Sequence, residues 1–549
     1  MFQLFYLSSH RKRISADAIS QIPLAHNAYW RPVADHFLVT INSGRPEKLI
    51  MDSAQLYSQF ETRMREIADL SNAASVLQWD HEVYLPAAGG ADRARQVATL
   101  SGIIFEKQTA EPFISLLKNL SATESLTWEQ KTNVAVTRRH ISRKQKLDKN
   151  FVEQLSNATS NGYEAWISAR KSNDFSVFAP WLEKIVALKK EEAERTGSWD
   201  HPYDALLDEF EPGMKTSTLE KLFGEIKPGL ESLIKRIEKA PQTDDSFMHG
   251  FFEKEKQWNS GLDVLKLIGF DFSSGRQDIS AHPFTISLGS KDIRLTTRIN
   301  EENFHEMLWS CFHEGGHGLY EQGLDKDSCG LPKAEAASLG IHESQSRLWE
   351  NHIGRGRPFW NYYYPILQKT FPEQFENVSA DDFYRAINKV KPSLIRTNAD
   401  ELTYHFHVII RFEIEKELIA GKLSVNEVPQ RWNSLCRQYL GIDVPDDASG
   451  VLQDIHWSHG SFGYFPTYSL GSFYAAQFYQ KAKNDIPDLE AMMSKGDSKP
   501  LLDWLRSKIH SQGKLYNSED LCRKVTSESL NIKYFQEYAE KKYEAIYKL

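Results

Sequence analysis

His313, Glu314 and His317, in the stretch CFHEGGHGLY at 311–320, are the residues whose types and spacing most directly suggest chemistry. On a helix, positions i and i+4 share a face one turn apart, so the two imidazoles can bind one metal ion between them. Glu314 sits beside the first of them, close to where a metal-bound water would lie. A carboxylate there is the general base of the helix-borne HExxH arrangement. Gly315 and Gly316 each cost about 1 kcal/mol relative to Ala inside a helix, so both call for a close backbone approach or tight packing. The plain alternative is a pair of structural histidines.

A catalytic zinc takes three protein ligands and keeps one position open. The downstream candidates for the third are Glu321, Glu335, Glu343 and Glu350. Glu321 lies i+4 from His317 on the same helix, whereas a third ligand normally arrives from a second element that closes the tetrahedron. SLGIHESQSRLWENH reads as that element, with Glu343 at its start as the chosen ligand. Glu350, two turns on, is expected to accept a hydrogen bond from a ligand histidine. His342 competes as a ligand but points off Glu343's face.

Helical elements dominate the reading of what must hold these groups. Leu56, Phe60, Met64, Ile67 and Leu70 recur at three- and four-residue spacing, and similar patterns fill WEQKTNVAVTRRHISRKQKLDKNFVEQL, FAPWLEKIVALKKEEAERTG, TSTLEKLFGEIKPGLESLIKRIEKA and most of the C-terminal part. Charge runs such as KKEEAER are expected on solvated faces. HPFTISLGSKDIRLTTRIN, residues 282–300, alternates and is β-branched, so it predicts a small hairpin or edge sheet just before the metal-binding helix. That helix is placed at 301–320.

The 549 residues carry a net charge of −8, which offers no basic footprint for nucleic acid. Four irregularly spaced cysteines, Cys311, Cys329, Cys436 and Cys522, read as free thiols. The start MFQLFYLSSHRKR places its apolar run before its basic cluster, the reverse of a secretory signal, and no apolar stretch is long enough to span a bilayer, so the expected compartment is the cytoplasm. Residues 1–50 lack sustained periodicity and are expected to be an extension, disordered or outside the mature protein. Residues 51–549 are expected to form the catalytic domain.

Together, DIRLT (292–296), HEGGH (313–317), HESQS (342–346), IRTNADE (395–401), GVLQDIHW (450–457) and the following GSFGYFPTYSLG resemble the carboxypeptidase Taq family of metallocarboxypeptidases, from about residue 54 to the C-terminus. The resemblance implies a mainly helical metallopeptidase body with a deep active-site groove, a small sheet beside the metal-binding helix, one zinc ion that Co2+ can replace, and usually a homodimer. It implies His313, His317 and Glu343 as metal ligands and Glu314 as base. It places Arg396 against the terminal carboxylate of a peptide substrate, with Gln453 and His456 nearby. The expected reaction is release of single C-terminal residues with broad specificity, by Glu-assisted attack of a zinc-bound water.

Read by themselves, the same segments leave alternatives. Arg396 and Asp400 stand i and i+4 in a helix continuing through ELTYHFHVIIRFEIEKELIAG, where an intrahelical ion pair is the plain reading. Tyr464 and Tyr468 are both candidate donors to an oxyanion, with Tyr464 expected to bind substrate. Asp292 and Arg294 alternate on a strand and could merely brace the neighbouring helix. The rival functions are a zinc oligopeptidase that cuts internally and a non-catalytic helical scaffold.

Overall fold

In the computed structural model, residues 52–549 are described, so the expectation for residues 1–50 lies outside the described residues. The spacing of Phe60 and Ile67 produces the helix Ser53–Val83, which buries both side chains. With Glu111–Ser121 and Trp128–Gln145 it encloses a small core of its own, built from Phe60, Phe113, Leu117, Leu120 and Val134, with Leu331 added from the rest of the chain. A much larger core holds everything that follows, from Ala158 to Tyr547. The architecture is mainly helical. Among the described residues no helix is long and apolar enough to cross a membrane.

Three short strands make the sheet: β1 (Gly275–Ile279), β2 (Thr285–Ser287) and β3 (Ile293–Thr297), in the order β1-β3-β2. The expected hairpin is β2 with β3, paired antiparallel with Thr285 opposite Leu295. β1, which the alternation at 282–300 does not reach, joins β3 in parallel. The Asp292–Arg294 pair closes the hairpin, with Nε and Nη2 donating to the carboxylate at 2.9 and 2.8 Å. Arg294 also lies 4.1 Å from the ring centre of Trp79, so it braces the helix Ser53–Val83 and not the metal-motif helix.

The motif helix runs Phe304–Gly323, three residues later at each end than expected, because the Asn303 side chain caps it by accepting from the His305 amide at 3.1 Å. The second helix, Leu339–Arg347, starts at Ser338, whose hydroxyl accepts from Ile341 N–H at 3.0 Å. It continues as a π-helical segment, Leu348–Gly354, that carries Glu350. Gly316 lets the two helices touch backbone to backbone: a Cβ there would sit 2.6 Å from the Gln345 carbonyl oxygen and from Ser346 Cα. Gly315 is tightly packed as well, since a Cβ there would lie 2.7 Å from Leu265 Cδ2 and 2.8 Å from Ile268 Cδ1, so both helix glycines have a packing reason.

Two expectations fail on long-range partners. Arg396 and Asp400 are not in a helix: Arg396–Asn398 is one 3₁₀ turn, and Asp400 accepts from the amides of Leu402 and Thr403 ahead of the helix Tyr404–Ile419. The KKEEAER run is not wholly solvated either, since Lys189 and Glu192 are buried as a pair that Arg143 joins from another helix. The four cysteines are free thiols, with Cys329 partly exposed.

Candidate metal centre

Both histidines of the motif helix turn Nε2 towards one oxygen of Glu343. His313 Nε2 lies 3.6 Å and His317 Nε2 3.4 Å from Glu343 Oε2. The edge of a tetrahedron with bonds near 2.0 Å is about 3.3 Å, which these two separations approach, and all three donor atoms lie within 4.8 Å of one another. His313, His317 and Glu343 are also the one group of three metal-ligating side chains that converges in this way among the described residues.

The remaining ring nitrogens are anchored. His313 Nδ1 is 2.9 Å from Glu350 Oε2, and His317 Nδ1 is 3.1 Å from the His342 carbonyl oxygen, contacts that direct each Nε2 lone pair inward. Glu350 thus stands behind a candidate ligand histidine. The His342 carbonyl accepts from His317, while the His342 ring stacks on His317 and pairs with Glu321 at 2.9 Å, so neither the His342 ring nor Glu321 joins the converging group. Glu335 pairs with Lys514 elsewhere.

Arg347 was missed, although i+4 from Glu343 is a readable spacing. Its Nε donates to Glu343 Oε1 at 2.7 Å, while Oε2, which also takes the Ser346 hydroxyl at 3.2 Å, faces the two imidazoles. Burial pushes the Glu343 carboxyl up, but Arg347 and His313 outweigh it and hold the carboxyl far below its ordinary range. Around His313 burial disfavours the charged ring, yet Glu343 and Glu350 overcome this and raise it to about 9. A field that favours a proton there also favours a metal cation. Gly471, on the helix Pro466–Asp485, allows this packing: a Cβ would lie 2.4 Å from Glu343 Cγ.

Glu314 is buried beside the ligands, and burial raises its carboxyl above the usual range against the opposing pull of His313. The Thr285 hydroxyl lies 2.7 Å from its Oε2.

A second cluster forms around Asp454. Arg396 Nε and Nη2 donate to Asp454 Oδ1 at 3.0 and 2.9 Å, while Arg411 Nε donates to Oδ2 at 2.6 Å. Two guanidinium groups thus share one carboxylate. Arg396 Nη1 also donates to the Tyr404 hydroxyl at 2.8 Å, which leaves one N–H on each terminal nitrogen uncommitted among its five. Tyr404 ties this cluster to the metal ligands, because Arg347 lies 4.4 Å from its ring centre. Gln453 accepts from the Arg396 amide at 2.9 Å and donates to the carbonyls of Leu394 and Ser449, so its side chain holds the Arg396 turn.

His456 and Tyr464 flank the same space. Burial depresses His456 to about 3 despite Asp454, so the ring is neutral, with Nε2 3.1 Å from the Tyr468 hydroxyl. Tyr464 packs 5.3 Å from both His456 and Tyr468, centre to centre. The loop carrying them is tied at both ends by Glu415, which the sequence reading missed: it accepts from Trp457 Nε1 at 2.9 Å and Gly463 N–H at 3.0 Å, and from the Tyr203 hydroxyl at 2.6 Å.

A helical body with two histidines and a glutamate aimed at one point, and a buried carboxylate beside them, has the layout of a metallopeptidase. Comparison with known proteins agrees with this layout: the profile of the carboxypeptidase Taq (M32) metallopeptidase family matches residues 59–543. Carboxypeptidase 1 of Bacillus subtilis is 39% identical over 493 residues, covering 89% of this chain and 98% of its own. Thermostable carboxypeptidase 1 of Thermus thermophilus is 39% identical over 496 residues, covering 88% and 97%. The crystal structure of the M32 carboxypeptidase from Deinococcus radiodurans superimposes with a TM-score of 0.89 at 37% identity, covering 90% of this chain and 100% of that one. The chain belongs to the carboxypeptidase Taq (M32) family and is a metallocarboxypeptidase.

Proposed function

We propose that the chain is a zinc carboxypeptidase that releases single residues from peptides with a free C-terminal carboxylate, with His313, His317 and Glu343 as ligands, Glu314 as base and Arg396 as the carboxylate clamp. Two imidazoles and a carboxylate are a donor set suited to zinc. When bound, the ion supplies Lewis acidity that polarises the scissile carbonyl and acidifies a coordinated water. Glu314 takes the proton of the attacking water and delivers it to the leaving amine. His456, Tyr464 and Tyr468 offer donors for the charge that develops on the carbonyl oxygen. Gln453 acts on substrate through the Arg396 turn that it holds.

One observation carries the substrate assignment: among the described residues Arg396 and Arg411 share Asp454 as their one ion-pair partner, which leaves an excess of positive charge in a buried setting. Burying an unpaired charge is costly, and a substrate carboxylate relieves that cost. Burial works against the Arg396 charge, but Asp454 overrides it and keeps the guanidinium protonated at any working pH. A clamp that reads the terminal carboxylate and a metal that reads the scissile carbonyl leave the side chain largely unread, which supports broad specificity.

Arg396→Ala should lower kcat/KM on free-acid peptides by roughly thirty-fold or more, the scale of a broken buried charge pair. The wild type should cleave C-terminally amidated peptides poorly, and the variant should discriminate much less between acid and amide. Equal cleavage of both by the wild type would remove the clamp and favour internal cutting. The homodimer expected from the family resemblance belongs to the same reading, and sedimentation velocity of the zinc-loaded protein tests it.

A further inference from the structure

We infer that Thr285 is a positioning residue for Glu314, held in place by the DIRLT segment of β3. The inference rests on Glu314 being the base. The Thr285 hydroxyl carries one hydrogen and has two acceptors in reach, Glu314 Oε2 at 2.7 Å and the Glu314 carbonyl at 3.0 Å. Inside a helix that carbonyl accepts from the amide four residues on, whereas the carboxylate has no other hydrogen-bond donor among the described residues. Thr285 therefore donates to Oε2, and Oε1 keeps its lone pairs for the water proton.

A buried glutamate with three rotatable bonds and no donor would be free to turn away. Thr285 is suited to preventing this. Its β-branched side chain is stiff at χ1, and it stands on a strand instead of a loop. The strand is pinned next door: Thr296 Oγ1 accepts from Phe284 N–H at 2.9 Å, and Phe284 C=O accepts from Thr296 N–H at 2.9 Å. Thr296 is itself buried and also takes the Ser280 hydroxyl at 2.7 Å. A chain of contacts thus runs from Thr296 through the Phe284 backbone to Thr285 and the base, which gives the threonine of DIRLT a role beyond bracing a hairpin.

The test uses the zinc-loaded full chain and the near-isosteric Thr285→Val. We expect kcat on a free-acid peptide to fall about 10- to 100-fold, the cost of a misplaced reacting group, with KM within about twofold. Zinc content and melting temperature should be unchanged, and Thr285→Ser should recover kcat to within about threefold. If Thr285→Val does not fold, Thr285→Ala is judged on the same criteria. A hydroxyl-free variant that retains wild-type kcat, a serine variant as impaired as the valine one, or a loss confined to KM would each overturn the assignment. Glu314→Gln, measured alongside, separates the premises: if it stays active, the base itself is wrong, and if it is inactive while the valine variant is normal, only the role of Thr285 falls.

Discussion

Glu314 and Glu343 are both buried carboxylates within one site, yet their surroundings drive them apart. Against the effect of burial, Arg347 and the two imidazoles keep Glu343 ionised, which suits the ligand role proposed for it, whereas burial of Glu314 raises its proton affinity, which suits the proposed base. Glu314→Gln should retain zinc and lose about 10²-fold or more in kcat, because an amide preserves shape but cannot accept the proton. Metal content separates the roles of the other two acids. Glu343→Ala should lose zinc, whereas Glu350→Ala, which removes the anchor behind His313 and a partner of Arg347, should weaken zinc affinity by about 10- to 100-fold, measured by competition with a chelator. The reverse order would reassign the third ligand.

At the scale of elements, the segment from Gly450 to Phe465 depends on one side chain of the helix Tyr404–Ile419. Burial pushes the Glu415 carboxyl up to about 7, although Tyr203, Gly463 and Trp457 all donate to it and Arg411 lies near. With an ordinary value near 4.5 when unfolded, the folded protein holds this proton between pH 4.5 and 7 and the unfolded chain does not. Glu415 therefore contributes stability below that window, and the contribution is lost as pH rises through 7, by on the order of 3 kcal/mol. Glu415→Gln cannot titrate, so melting curves at pH 5.5 and 8 should differ less for the variant than for the wild type. A variant with the same pH dependence would show that Glu415 does not set it.

What could be read in advance follows the range of the interactions. His313, Glu314 and His317 are a local pattern, and Glu343 follows from a helix that needs only its own periodicity. The β2–β3 hairpin is local as well. Helical spacing offers Arg396 only Asp400 as a partner, while its partner in the structure, Asp454, is 58 residues away. Thr285 and Glu314 are 29 residues apart on different kinds of element, and Arg143 reaches Glu192 across 49. No periodicity encodes such pairs. They arise from packing.

For the whole molecule, the M32 relatives align over 97–98% of their own length within 88–89% of this chain. The family profile likewise begins at residue 59, so we expect a chain starting at Met51 to match the full chain in melting temperature and turnover. A substantial loss in either would assign that segment a part in the catalytic body. The two separate cores have a further outcome. The helices between Ser53 and Gln145 meet the body through apolar contacts at Leu331 and the Trp128–Tyr516 rings and through several polar and cation–aromatic ones: Trp79 with Arg294, the Tyr84 hydroxyl with Asp278, Lys333 with Glu129, and Arg143 with Glu192. The charged contacts weaken with salt, whereas an apolar core does not. Amide hydrogens of these helices should exchange through a sub-global opening of lower free energy than those of Phe304–Gly323, and added salt should widen the gap. Calorimetry should then resolve two transitions, and the body that keeps the metal should melt last.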